Sequence, residues 1–261
     1  MLVHIGILHD WMAQSTEFMA LTLGGAFAVF ALFLCWLSFA SPATPFVQTL
    51  RGVVPPFVGV PATLFGLLMT FLSHDVWEVN GMAYRALAQE REQLVTLGAL
   101  SENHGVDAAH LPHAIRDYVE AVVGLEWKTM ENGEESSEAE SALNTLTRAV
   151  SSAKIDPPYQ RVLVDTVMKL RSAREQRLAV AAAYPDDRKW AAVIIIAFIT
   201  QVSLAVAHLE RVRPQLLAQA IFAAAAVVAI SLVASVAEPY APPNSVGSES
   251  LEQLLEKLPN G

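Results

Sequence analysis

Hydrophobic residues in this chain gather into four uncharged blocks separated by polar sequence. Residues 18–40, FMALTLGGAFAVFALFLCWLSFA, form the strongest, enough to cross about 30 Å of hydrocarbon at about 1.5 Å per residue. Residues 52–73, GVVPPFVGVPATLFGLLMTFLS, are also uncharged, but Pro55, Pro56 and Pro61 crowd their first half. Proline removes a backbone donor, so that half is expected to be kinked or irregular, which membrane depth tolerates only under a cover of protein or water. Two more blocks follow at 190–209 and 215–237. The short link ERVRP leaves room only for an antiparallel hairpin between them. The proline-containing SPATPFVQTLR joins the first pair as a turn ending at Arg51. The pattern predicts an all-α integral membrane protein with four transmembrane helices in two hairpins.

Between the hairpins the periodicity changes to that of amphipathic helices. Val76, Ala83, Leu87, Leu94 and Leu97 recur at near-heptad spacing, so the second span is expected to continue as one long helix ending near Gly98. A second helix is expected over 107–131, with Leu111, Ile115, Tyr118, Val119, Val122 and Leu125 as its stripe and Asp107 as its N-cap. GEESSEAESALNTLTRAV begins with an acidic turn suited to a helix N-terminus. The breaker Asp156-Pro157-Pro158 precedes a last helix over 159–183. In the tail, Leu251, Leu254, Leu255 and Leu258 make a short apolar stripe, with Ser250 and Gln253 as a capping box. A helix so short needs something to dock on.

The organisation expected is a segment over 1–17, transmembrane helices 1 and 2 over 18–73, a helical insert over 74–188, transmembrane helices 3 and 4 over 189–237, and a proline-rich tail over 238–261. Residues 2–12 read either as an interfacial helix or as a frayed end. With no Lys or Arg before the first apolar stretch, the opening does not read as a secretory signal. The insert holds 12 of the 17 Lys and Arg residues, against Arg51, Arg211 and Arg213 on the opposite side. The positive-inside rule therefore places insert and termini in the cytoplasm of a cell inner membrane.

The formal net charge of -9 sets aside nucleic-acid binding. Cys35, the only cysteine, lies in an apolar block, so neither a disulfide framework nor a cysteine metal cluster exists. His104, His110 and His113 lack a carboxylate that would complete a ligand set, and no metal site or cofactor is expected. A nucleophile elbow, a phosphate loop and HExxH are all missing, so nothing points to an enzyme. His74 and Asp75 end the second span, with Glu78 one turn on. They read either as an interfacial cap or as the inner mouth of a pore. Arg161, Lys169, Arg171, Arg174 and Arg177 cluster on the last insert helix. They read as a face for solvent or anionic headgroups, or as an electropositive vestibule for anions. The insert as a whole carries 19 acidic and 12 basic residues, so any such attraction is local.

Several stretches, in order, resemble the bestrophin-like family, named for its distant similarity to the bestrophin anion channels. They are VPATLFGLLMTFLSHDVWEVN, RDYVEAVVGLEWKTM, LRSAREQRLAVAAAYPDDRKW and EPYAPPNSVGSESLEQLLEKL. The resemblance implies a homo-oligomer, a pentamer by preference, in contact with membrane lipids and inorganic anions such as chloride. It also implies a pore lined by the second span, with an apolar neck that falls on Val60, Leu64 and Leu68. An i, i+4, i+8 row of apolar residues lies near one helix face and can gate by dewetting, or can simply pack on neighbouring helices. Two departures stand out: the tail has too few acidic residues for a calcium site, and the three neck positions are not aromatic. The other class left open is a membrane-anchored interaction or signalling protein. A coupled transporter is disfavoured because the spans hold no acidic or basic residue of the kind that usually couples ions to substrate.

Overall fold

The computed structural model describes residues 10–52, 56–102, 110–153, 156–183 and 185–258, and the side chains of 56–58 and 102 are not among them. The expectations for residues 2–9, Pro55, His104 and Asp107, and for the Pro56 side chain, lie outside the described residues. Every regular element among these residues is helical, and besides a few short turns of helix the elements are α1 (Thr16–Phe39), α2 (Pro56–Glu102), α3 (His110–Ala121), α4 (Ser137–Ser152), α5 (Pro157–Ala181), α6 (Asp187–Ala207), α7 (Val212–Ala234) and α8 (Glu249–Leu255). Four of them, α1, α2, α6 and α7, are long and apolar enough to cross a membrane.

The chain divides into two compact units, one of Met1–Trp77 with Pro185–Ala237, the other of Glu78–Tyr184 with Glu238–Gly261. In the first unit α1 packs chiefly on α7 and also on α6, and α6 packs on α7. Lipid tails are as apolar as leucine, so close fit holds these helices together. Met19, Leu23 and Phe27 of α1 interlock with Trp190, Val193 and Ala197 of α6 and with Ala226 and Ile230 of α7. The Phe27 and Phe198 rings lie 5.1 Å apart, and Phe65 of α2 meets Phe222 of α7 edge-on at 5.4 Å.

Helix α2 begins at Pro56, so of the first half expected to be kinked or irregular the part from Pro56 onward is helical, with Pro61 inside the helix. Proline is at home in a first helical turn, where no ladder bond is lost. Pro61, further in, removes one ladder donor and is buried, away from lipid. The helix runs to Glu102, about one turn beyond the expected stop at Gly98.

The second unit packs α3, α4 and α5 with the later part of α2 around Leu94, Leu97, Ile115, Leu143, Leu146 and Leu170. After Ala121 the ladder changes to one π-helical turn, Val122–Glu126, where a single regular helix was expected. The tail docks on this unit: Trp127 Nε1 donates to the Val246 carbonyl at 3.2 Å, Arg91 Nε to the Ser250 carbonyl at 3.2 Å, and Leu251 and Leu254 are buried. The expected Ser250–Gln253 capping box does not form. The Ser248 carbonyl already accepts from the Leu251 and Glu252 amides, so the helix starts earlier and Ser250 falls inside its first turn.

Candidate functional site

Of the four spans, α2 is the least covered, with 17% of its apolar window buried against 28–39% for the others. Its covered side carries Pro61, Met69, Leu72 and Val76. The opposite side exposes Val60, Leu64, Leu67 and Phe71, four large apolar groups in register, followed by His74. Leu68 is half-buried and packs against the helix core. The cause is helical pitch: at about 100° per residue each i+4 step drifts about 40°, so Leu68 lies about 80° round from Val60, towards the covered side. Steps of four, three and four, through Leu67 to Phe71, bring the row back.

His74 is exposed at the end of that row, and Asp75 is partly exposed and ion-paired with Lys189 of α6. Glu78, one turn further along α2 in the second unit, is exposed.

The basic residues of α5 divide into two kinds. Lys169 is exposed and pairs with Asp165 one turn back at 2.7 Å, a contact worth little in water. Arg171 is partly exposed and reaches Glu140 at 3.0 Å and Asn144 Oδ1 at 2.7 Å. Arg174 and Arg177 are buried. Arg174 grips Glu126 at 2.6 Å and also pairs with Glu140. Arg177 pairs with Glu90 of α2 at 2.6 Å and with the other oxygen of Glu126 at 2.7 Å, while its guanidinium lies 5.1 Å from the Trp127 ring centroid. Tyr118 donates to Glu90 at 2.6 Å. Three carboxylates thus neutralise three guanidiniums inside the second unit. The π-helical turn is what aims Glu126 inward, between the two arginines.

This network was hidden in the sequence although its signal was present. On α5 Leu163, Val167, Leu170, Arg174 and Arg177 continue one buried stripe, and on α2 Glu90 occupies the gap in the stripe Ala83, Leu87, Leu94, Leu97. A charge at a core position signals a partner, but periodicity does not say which one.

The electrostatics follow from this packing. Burial pushes the Glu126 carboxyl up, but the hydrogen bond from Arg174 and the charges of Arg177 and Arg174 outweigh it and hold it below the usual carboxylate range. Glu140 is likewise held low, its desolvation exceeded by Arg171 and Arg174. Both values are depressed in the folded state, so their stabilisation is complete above the unfolded carboxylate value of about 4.3 and is lost as pH falls through the folded values. Amide exchange in α3–α5 should therefore stay slow from neutral pH to roughly pH 5, after correction for intrinsic rates, and accelerate below roughly pH 4. Flat protection across that range would show that the network does not supply the stability.

Four apolar spans, one left open along a row of large side chains, and a separately folded helical unit held by buried ion pairs define a multi-span α-helical membrane protein. The chain belongs to the bestrophin-like family, whose model, a Bestrophin-like domain, matches residues 25–251. Among solved structures it is similar to a mutant of a bacterial bestrophin homolog from Klebsiella pneumoniae, at 10% identity and TM-score 0.71, covering 91% of this chain and 98% of that one. A second mutant of that homolog matches at 11% identity and TM-score 0.70, covering 91% of this chain and 96% of the other. No curated protein matches the chain.

Proposed function

We propose that the chain forms a homo-oligomeric ion channel, pentameric on the family resemblance, in which α2 of each subunit lines a central pore of the cell inner membrane. The observation that carries this reading is the exposed row Val60, Leu64, Leu67 and Phe71 on the least covered span. Repeated around an axis, such a row makes stacked apolar rings that gate by dewetting. His74 and Asp75, with Glu78 one turn on, form the inner mouth, and the helical insert extends into the cytoplasm. Small inorganic anions such as chloride are the permeant class that the bestrophin resemblance implies.

A second selectivity, for small cations, is favoured by one observation: Arg174 and Arg177, half of the candidate vestibule, are buried and already neutralised by Glu90, Glu126 and Glu140. The test is purified full-length protein in planar bilayers under a potassium chloride gradient. Anion conduction moves the reversal potential towards that of chloride, and cation conduction towards that of potassium. A membrane no more conductive than the empty bilayer would exclude both and leave a membrane-anchored interaction or signalling protein.

A further inference from the structure

Along α7, Arg213, Leu216, Ala220, Ala224 and Val227 recur at steps of three and four and so share a face. Between that face and α1 runs a groove lined by Gly24, Ala28 and Leu32 on one side and by Ala220 and Ala224 on the other, with Gln219 at its floor. The small residues bring the two helices together, since a Cβ added to Gly24 would meet Val227 at 3.8 Å. Ala28, Leu32, Ala220 and Ala224 are exposed, so the groove opens outward, where a membrane protein meets lipid.

Gln219 is the anomaly. Its side chain is fully buried, and neither its amide nitrogen nor its amide oxygen has a partner. Neighbouring buried glutamines are anchored through their nitrogens, although their Oε1 atoms are also unpartnered: Gln201 Nε2 donates to the Phe27 carbonyl at 3.3 Å, and Gln215 Nε2 to the Ala205 carbonyl at 3.0 Å and Ser38 Oγ at 3.2 Å. Hydrocarbon cannot satisfy an amide, so whatever fills the groove must carry a polar group to that depth. Gln219 lies six residues beyond Arg213, about 9 Å along the helix axis. Arg213, Arg211 and Arg51 are exposed at this end of the unit, and Arg51 bonds the Leu209 carbonyl at 3.4 Å. One exposed carboxylate, Glu210, opposes these three cations.

We infer that this groove binds an anionic phospholipid. Its phosphate meets the arginines, its ester carbonyl accepts from Gln219 Nε2, water accompanying the ester donates to Gln219 Oε1, and its acyl chain follows the alanine-lined floor. A helix from a second copy would also fit between small residues, but its same end brings three more exposed arginines against the one carboxylate, Glu210. The inference does not depend on conduction.

The test is native mass spectrometry of the full chain, purified in detergent and offered equal amounts of phosphatidylglycerol and phosphatidylcholine. Wild type should retain phosphatidylglycerol in about tenfold preference, and Gln219→Leu and Arg213→Ala should each reduce that retention about tenfold. Arg213 is exposed, so its substitution reports on binding whether or not Gln219→Leu folds normally. Equal retention of the two lipids by wild type, or undiminished phosphatidylglycerol retention in both variants, would overturn the inference. Loss of the oligomer in Gln219→Leu with lipid retention unchanged would identify the groove as a subunit contact and refute it equally.

Discussion

Glu126→Leu should destabilise the second unit by about 3–5 kcal/mol, the usual cost of stranding a buried charge by removing its partner. Without Glu126, Arg174 keeps only the partly exposed Glu140, and Arg177 keeps only Glu90. Three cations would then face two anions in a low-dielectric interior. The double variant Glu126→Leu with Arg174→Leu restores balance, leaving Arg177 with Glu90 and Arg171 with Glu140. It should recover most of the loss, because apolar groups often replace a buried ion pair at little cost. Amide exchange measures both, since protection in α3, α4 and α5 reports the opening free energy of that unit. A double variant as unstable as Glu126→Leu alone would show that Glu126 acts by packing and not by charge.

The second large effect concerns the apolar row of α2 and follows from the channel reading. Leu64→Ser and Phe71→Ser place hydroxyls on the exposed face and lower the barrier to wetting, so single-channel current should rise about tenfold, equivalent to removing ~1.4 kcal/mol. Leu68→Ser, on a half-buried side chain at the edge of the row, should change current little and weaken packing instead. The contrast locates the pore-facing side of α2 independently of ion selectivity. If Leu68→Ser raised current as much as Leu64→Ser, the face containing Val60, Leu64 and Leu68 would line the pore and the rotated row would be wrong.

The four apolar helices were legible in the sequence because each is defined by a sum over some twenty consecutive residues, and transfer energy adds along the chain without regard to partners. The fate of the α5 arginines was not. Lys169, Arg171, Arg174 and Arg177 look alike as charges on one helix, yet two are exposed to differing degrees and two are sealed inside. What separates them is whether Glu90 and Glu126, 87 and 51 residues away from Arg177, arrive within hydrogen-bond reach.

The same division holds for α2. Its length and apolarity were written locally, but which of its all-round hydrophobic faces stays open depends on where Phe222 and the α6 and α7 core press against it. The π-helical turn at Val122–Glu126 belongs with these tertiary outcomes: Gly124 weakens the helix there but does not specify a π turn, and the extra residue aims Glu126 at two arginines. Sequence alone determined which segments are helical and apolar, because those properties are additive and short-ranged. Tertiary structure decided which charges are spent on stability and which face of α2 is left open, because burial and pairing depend on neighbours that only folding supplies.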